Sequence, residues 1–481
     1  MNRLDGLDRY VEQSRPRFEE WLGRLVEVPT VSMDPARRGD VRRGAEAAVG
    51  YLRDLKADAA LIETGGHPMV VGGWVRNPAW PTVTVYNHLD VQPAMEPEWT
   101  REPFTFSVSG DHYYGRGTTD DKGPALTALL AAHFAVEQGI PLNIQFLWEL
   151  EEEIGSPHFA AGLANLTRPP QALRPVATKS YGYPDAPLPV FRKPDSVVVS
   201  DTIWLAGGRP AAPYGLRGNL AARLILETAK REAHSGLTGG VARNPLAELA
   251  AVVAACADAK SGRVTIPGFY RAVKPLGKAD LAQFLKSGFQ VKSFAAAHRL
   301  TKLRARDRAA VMRRLWAEPT FEVHGFVGGY QGPGVKTSIP PRAEAKVSMR
   351  LVPDQDPAAV FALFRKHVHG LNPDVRVEAD GMLRPYVADL GGPYAEALRK
   401  ALRFGFGKEP AFIREGGSIG AVVTMAQRWK APVIFLGLSL PEHGYHAPNE
   451  RFDWGQASGG IKAFVKYFEE VSCIPGKRRM I

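Results

Sequence analysis

The sequence predicts a two-domain α/β protein, in which a mixed-sheet α/β domain carries a smaller α/β sandwich as an insertion. Three observations predict it. Strand and helix patterns alternate between residues 44 and 201, the character changes near Pro213 and returns near Val387, and 481 residues exceed what one ordinary core fills. The expected division is 1–212 with 387–481 for the larger domain and 213–386 for the insertion.

The elements follow in order. "GAEAAVGYLRDLKAD", residues 44–58, has apolar residues at helical spacing, and "PTVTVYNHLD", 81–90, reads as a strand. "KGPALTALLAAHFAVEQG", 122–139, is a helix pattern with Pro124 near its start, where a missing N–H removes no helical bond. "LNIQFLWEL", 142–150, is a strand; after a Pro-rich connection, 168–195, comes the short buried-strand pattern "DSVVVSD", 195–201. The insertion runs through "NLAARLILET", the helix pattern "NPLAELAAVVAACADA", "EAKVSMRLVP", "DPAAVFALFRKHVHG" and "DVRVEAD". The larger domain resumes with the helix pattern "GPYAEALRKALRFG" and the buried strand "APVIFLGLS".

Composition excludes several function classes. The first residues are charged from Arg3 onward with no apolar leader core, and nowhere do about 18 apolar residues run together. A cytoplasmic protein that does not enter membranes is the expectation. Two cysteines, Cys256 and Cys473, argue against a disulfide framework or a cysteine metal site. The formal net charge of +11 lies partly in residues 292–315 and in the tail "GKRRM". Such a basic stretch suits nucleic acid, but alternating with Ala, Leu and Val it reads as the solvated face of an amphipathic helix. No nucleic-acid partner is expected.

Groups that bind metals gather at strand ends. His88 and Asp90 follow "TVTVYN", Glu152 and Glu153 follow "NIQFLWEL", Asp201 follows "SVVVS", and His446 lies a few residues beyond "VIFLGLS". In open α/β sheets ligands bind outside the carboxyl ends of the strands, so these residues can converge. His88 and Asp90 are two apart and share one side of an extended segment, which lets one ligate while the other fixes the imidazole tautomer. Asp120 sits in the turn "GRGTTDDKGP", where Gly115 and Gly117 permit a sharp bend. The run "WELEEEIGSPHF" sets four acids together, and carboxylates so placed repel one another unless cations lie among them. Glu149 and Glu151 are expected to be solvated or hydrogen-bonded turn acids without a chemical role.

Nine motifs stand in order: "NHLDVQP", "YGRGTTDDKGP", "EEEIGS", "VSDTIWL", "YGLRG", "AHSG", "SMRLVP", "REGGSI" and "GYHAPNE". Together they resemble the aminoacylase, carboxypeptidase G and carnosine dipeptidase family of two-metal hydrolases, and the dipeptidase branch most closely. The resemblance implies that the larger domain is catalytic and the insertion a lid and dimerisation domain. It implies two divalent ions, zinc by default with manganese or cobalt also accepted. Asp120 would bridge them, with His88 and Asp201 completing one site and Glu153 and His446 the other. Glu152 would be the general base, Asp90 would orient His88, and the Asp120–Asp121 peptide would be cis. His234 of "AHSG" would reach the active site of the other subunit of a homodimer. Arg350 resembles the arginine that clamps a terminal carboxylate, while Thr337, Gly417 and Ser418 resemble further substrate-binding positions. A dipeptidase acting next to a free carboxylate is the expected function, and an N-acyl amino acid amidohydrolase the alternative. The long Pro-rich connection and the absence of a histidine from "DLGGPY", 389–394, depart from the branch and leave the substrate open.

Overall fold

The structure is a computed structural model that describes residues 3–166, 189–205 and 208–474. The tail "GKRRM" and most of the Pro-rich connection lie outside the described residues.

A six-stranded sheet has the order Asp58–Ile62, Met69–Trp74, Asn143–Glu149, Thr82–His88, Ser196–Val199, Val433–Phe435. The last four strands are mutually parallel, and the first two run antiparallel at one edge. The parallel strands are buried throughout, as their nearly unbroken apolar runs require when both faces are covered. One face packs Val83, Val85, Ile144 and Phe146 against a core that includes Leu126, Leu130, Ile461 and Phe464 of the helices Gly123–Glu137 and Trp454–Ser472. The other packs Tyr86, Leu147, Val197 and Val199 against Phe159 and Leu163 of Phe159–Asn165 and Val422 and Met425 of Gly420–Trp429.

A second, four-stranded sheet comes entirely from the middle of the chain, in the antiparallel order Glu322–Val327, Arg342–Leu351, Gly218–Glu227, Arg376–Leu383. The helices Pro245–Ala254 and Pro357–Leu371 cover one face, and Leu220, Leu224, Val347, Met349, Leu249 and Phe364 form the core between. Both helices start with a side-chain cap followed by proline, Asn244–Pro245 and Asp356–Pro357, which satisfies the free N–H groups of the first turn.

The basic stretch 292–315 differs from the single amphipathic helix expected. It forms two helices, Val291–Ala297 and Arg308–Trp316, because Arg299 takes a positive φ of 50° and Asp307 caps a new start by accepting from Ala310 N at 2.8 Å. With helix Lys278–Lys286, they bury Phe284, Phe289, Met312 and Trp316 in the same core as Tyr214 and Ile413 of the strands Ala211–Leu216 and Ala411–Glu415. This stretch of the middle segment therefore joins the core of the large sheet, not that of the four-stranded one.

Candidate metal centre

The carboxyl ends of the parallel strands deliver the donors. His88 ends its strand beside Glu149, Asp201 lies two residues past Val199, and Glu152–Ile154 is a short 3-10 turn after Asn143–Glu149. Asp120 stands in the turn between Tyr114 and the buried helix Gly123–Glu137. Gly115 and Gly117 both have positive φ, 144° and 89°, and a Cβ on Gly117 would lie 2.6 Å from Val91 Cγ1. The turn thus needs glycine twice, for conformation and for close approach. The Asp120–Asp121 peptide is cis.

Two donor groups result. His88, Glu152 and Asp201 each offer one atom within 4.8 Å of the others, and so do Asp120, Glu153 and His446. Asp120 joins the groups: its Oδ1 is 2.9 Å from His88 Nε2 and its Oδ2 is 3.0 Å from His446 Nε2. His446 Nε2 also lies 3.1 Å from Glu153 Oε2, and His88 Nε2 3.9 Å from Asp201 Oδ1. Asp120 Oδ2 is buried yet has no aligned hydrogen bond. Imidazole nitrogens and carboxylate oxygens that converge so closely, with one buried carboxylate oxygen left unpaired, form a donor set that fits a cation.

Asp90 holds this arrangement from behind. His88 Nδ1 is 3.0 Å from the backbone oxygen of Asp90 and 3.5 Å from its Oδ1. The Asp90 carboxylate accepts from Ser32 Oγ at 2.7 Å and from the backbone N–H groups of Glu152 and Glu153 at 3.2 and 3.1 Å. One buried carboxylate therefore ties the strand end of His88 to the turn of Glu152 and Glu153.

The electrostatics follow from burial and crowding. Burial and the neighbouring Asp201 push the Glu152 carboxyl well above the usual range, and burial followed by Asp120 raises Glu153. Asp201 is raised to about 6, chiefly by burial. Desolvation on its own would lower His446, although more than half of the side chain is exposed, but Asp120 and Glu153 outweigh it and hold the imidazole up at about 11. Two imidazoles among this many carboxylates leave negative charge in excess.

The four acids of "WELEEEIGSPHF" divide into two pairs. Glu149 accepts from Tyr86 OH at 2.5 Å and Ser156 Oγ at 2.9 Å, and Glu151 accepts from the backbone N–H groups of His67 and His158. Both are buried and hydrogen-bonded, with Glu149 Oε2 left without a partner, whereas Glu152 and Glu153 turn to the donor groups.

A cavity of about 330 Å³ opens over Asp120, Glu152, Asp201 and His446. Arg350, Gly417 and Ser418 line its other side, with Arg350 Nη1 donating to Ser418 Oγ at 3.0 Å. His234 and Thr337 do not line this cavity. They sit exposed on a two-stranded ribbon where His234 pairs with Ser338 and Ser235 N donates to Thr337 O at 3.0 Å.

Several supporting residues escaped sequence reasoning. Glu450, wholly buried, accepts from the N–H groups of Gly117, Thr119 and Asp120 at 2.9, 2.9 and 3.1 Å, and pairs with Arg116 at 3.0 Å. Tyr445 OH donates to Asp201 Oδ1 at 3.0 Å, and Gln92 Nε2 to Glu153 Oε2 at 2.7 Å. The only sequence signal was that Glu450 and Tyr445 belong to "GYHAPNE" and Gln92 to "NHLDVQP". His443, near His446 in sequence, bonds instead to Thr119 and Asp453.

A parallel sheet whose strand ends bring imidazoles and buried acids together beneath an arginine-lined cavity defines a class, the metal-dependent peptidases. The chain belongs to peptidase family M20/M25/M40, whose model matches residues 84–470. It is 30% identical to the Cys-Gly metallodipeptidase dug1 of Schizosaccharomyces pombe, over 98% of this chain and 99% of that one. It is 28% identical to the human Beta-Ala-His dipeptidase, over 98% and 93% of the two chains. Among solved structures, the di-peptidase Dug1p of Saccharomyces cerevisiae superposes with a TM-score of 0.85 at 28% identity, covering 98% of this chain and 99% of that one. Among the described residues no helix is long and apolar enough to cross a membrane.

Proposed function

We propose that the protein is a metal-dependent dipeptidase that hydrolyses the amide bond next to a free C-terminal carboxylate. The observation that carries this reading is the pair of donor groups joined through Asp120, opening into the same cavity as Arg350. Asp120, His88 and Asp201 would hold one divalent ion, and Asp120, Glu153 and His446 the other, with zinc favoured by this donor set and manganese or cobalt compatible with it. Such ions, when bound, supply Lewis acidity and lower the pKa of a coordinated water.

The chain's own residues do the rest. Glu152 takes a proton from the attacking water and returns it to the leaving amine. Asp90 keeps His88 in one tautomer and Glu152 in place. Arg350 grips the substrate carboxylate, with Ser418 steadying the guanidinium and Gly417 as a further binding position, while Thr337, on the ribbon with His234, could bind substrate only from the second subunit. His234 lies exposed and away from its own cavity, which supports its donation to the oxyanion from the second subunit of a homodimer. We also take residues 1–212 with 387–481 as the catalytic domain, and 213–386 as the inserted lid and dimerisation domain. A cytoplasmic location is part of the same proposal.

The test is elemental analysis of the purified protein followed by a dipeptide panel with each ion restored, every dipeptide paired with its N-acetylated form. Hydrolysis of the free dipeptides carries the reading. Hydrolysis of the acetylated forms alone would transfer it to the amidohydrolases.

A further inference from the structure

A second cavity, of about 800 Å³, meets the first at Arg350, which lines both. It lies against the uncovered face of the four-stranded sheet. Val347, Met349 and Leu351 point into the helix-covered core, so the alternate residues Ser348 and Arg350 point the other way. Arg217 and Arg350 stand half-buried on the inner side, Arg314 is half-buried beyond them, and Arg263 and Arg304 are exposed.

None of these five arginines makes a salt bridge among the described residues, although Glu322 is near enough to Arg217 and Asp258 to Arg304 for their charges to be felt. Arg217 reaches only the Gly416 carbonyl at 3.3 Å, Arg350 only the Ser418 hydroxyl, and Arg314 the Ser261 carbonyl at 2.8 Å. Arg263 lies over the Tyr270 ring at 4.5 Å. Arg304 lies so close over Gly262 that a Cβ there would be 2.6 Å from its Nη1. Glu318 and Glu322 are the acids in the lining, two against five. Burial and then the charge of Arg350 pull the Arg217 guanidinium down to about 10. Thr320 adds a buried hydroxyl without a partner. Guanidinium groups taken partly out of water beside one another are costly unless an anion arrives.

We propose that this cavity receives the side chain of the substrate's C-terminal residue and selects one bearing a second negative charge, aspartate or glutamate. Arg350 takes the main-chain carboxylate, and Arg217 with the outer arginines takes the side-chain carboxylate. The inference rests on the dipeptidase reading above. Glutamine has nearly the shape of glutamate without its charge, so the two separate electrostatic selection from fit, and a site built around charge rejects the uncharged analogue strongly.

The experiment measures kcat/KM of the full-length, metal-loaded protein on Ala-Glu, Ala-Gln and Ala-Leu. Ala-Glu is expected to exceed Ala-Gln by roughly 10-fold or more, the scale of a charge-assisted hydrogen bond, and the ratio should shrink with added salt. In Arg217→Gln the ratio should fall towards one. In the double variant Arg263→Gln/Arg304→Gln, whose side chains are exposed, the ratio should also fall, with circular dichroism showing the fold retained. Equal or faster hydrolysis of Ala-Gln, or a ratio untouched by the double variant, overturns the inference and leaves the dipeptidase reading standing. No hydrolysis of any of the three overturns that reading, and the inference with it.

Discussion

The two cavities that meet at Arg350 are opposite in charge. One gathers Asp120, Glu152, Glu153 and Asp201 around two imidazoles, and the other gathers five guanidinium groups near two acids. Between these extremes stands Glu450, more deeply buried than either set, whose carboxylate is closed off by Arg116 and three backbone N–H groups. The contrast separates two uses of buried charge. A charge that the chain satisfies internally fixes geometry, as Glu450 fixes the turn of Asp120, whereas a charge that it leaves open reserves a place for something else.

The largest expected effect breaks the open side of that contrast. Glu152→Gln keeps the shape of the donor group and removes the proton acceptor, so turnover should fall by about 10²–10⁴-fold while elemental analysis finds the metal content unchanged. A variant as fast as the parent would end the base assignment. Glu450→Ala breaks the closed side and should cost about 3–5 kcal/mol of stability, read by denaturant unfolding, because Arg116 is left buried without its acid. If the loss is within error, the carboxylate is not what holds the turn.

Two smaller effects sharpen the boundary between the cavities. Arg350→Ala should lower kcat/KM by about 10²-fold for dipeptides with a free C-terminus and far less for amidated ones. Equal losses on both would remove the clamp. His446→Ala should reduce metal occupancy in one site with the fold intact, since this side chain is more than half exposed, and circular dichroism beside elemental analysis distinguishes metal loss from unfolding.

The centre of the molecule was legible because its signals are local. Continuous apolar strands ending in His88, Glu152, Glu153 and Asp201 announce a covered parallel sheet, and the order of strands and helices announces the insertion. A mixed sheet was expected, but the strands Asp58–Ile62 and Met69–Trp74 that make its antiparallel edge were not read from the sequence, since Met69–Trp74 carries two adjacent glycines, Gly72 and Gly73, that weaken any strand pattern. Nor was the packing of Phe284 and Trp316 onto Ile413, which depends on contacts across about a hundred residues of chain. Glu450 and Arg217 were missed for the same reason. Nothing beside a lone acid or arginine in sequence says whether its partner, if any, will be an opposite charge, a run of backbone N–H groups or a bound molecule.

The smallest effect tests Glu415, which lines the same cavity as Asp201 and Arg350 and has a buried oxygen without a partner. Burial first, and then repulsion by Asp201, pushes its carboxyl up to about 8 from an ordinary value of 4.5. Between those values the folded state binds more proton than the unfolded state, so stability falls as pH rises. The benefit of the neutral form is complete below pH 4.5 and is gone above about 8. In the metal-free protein, Glu415→Gln fixes a neutral side chain of the same shape and should flatten the dependence of Tm on pH across that window, leaving the variant more stable than the parent by about 1–2 °C on the alkaline side. The side chain is only half-buried, and solvent keeps the effect small. Parallel curves for the two proteins would show that Glu415 is already ionised in the fold and that the negative field of the metal centre does not reach it.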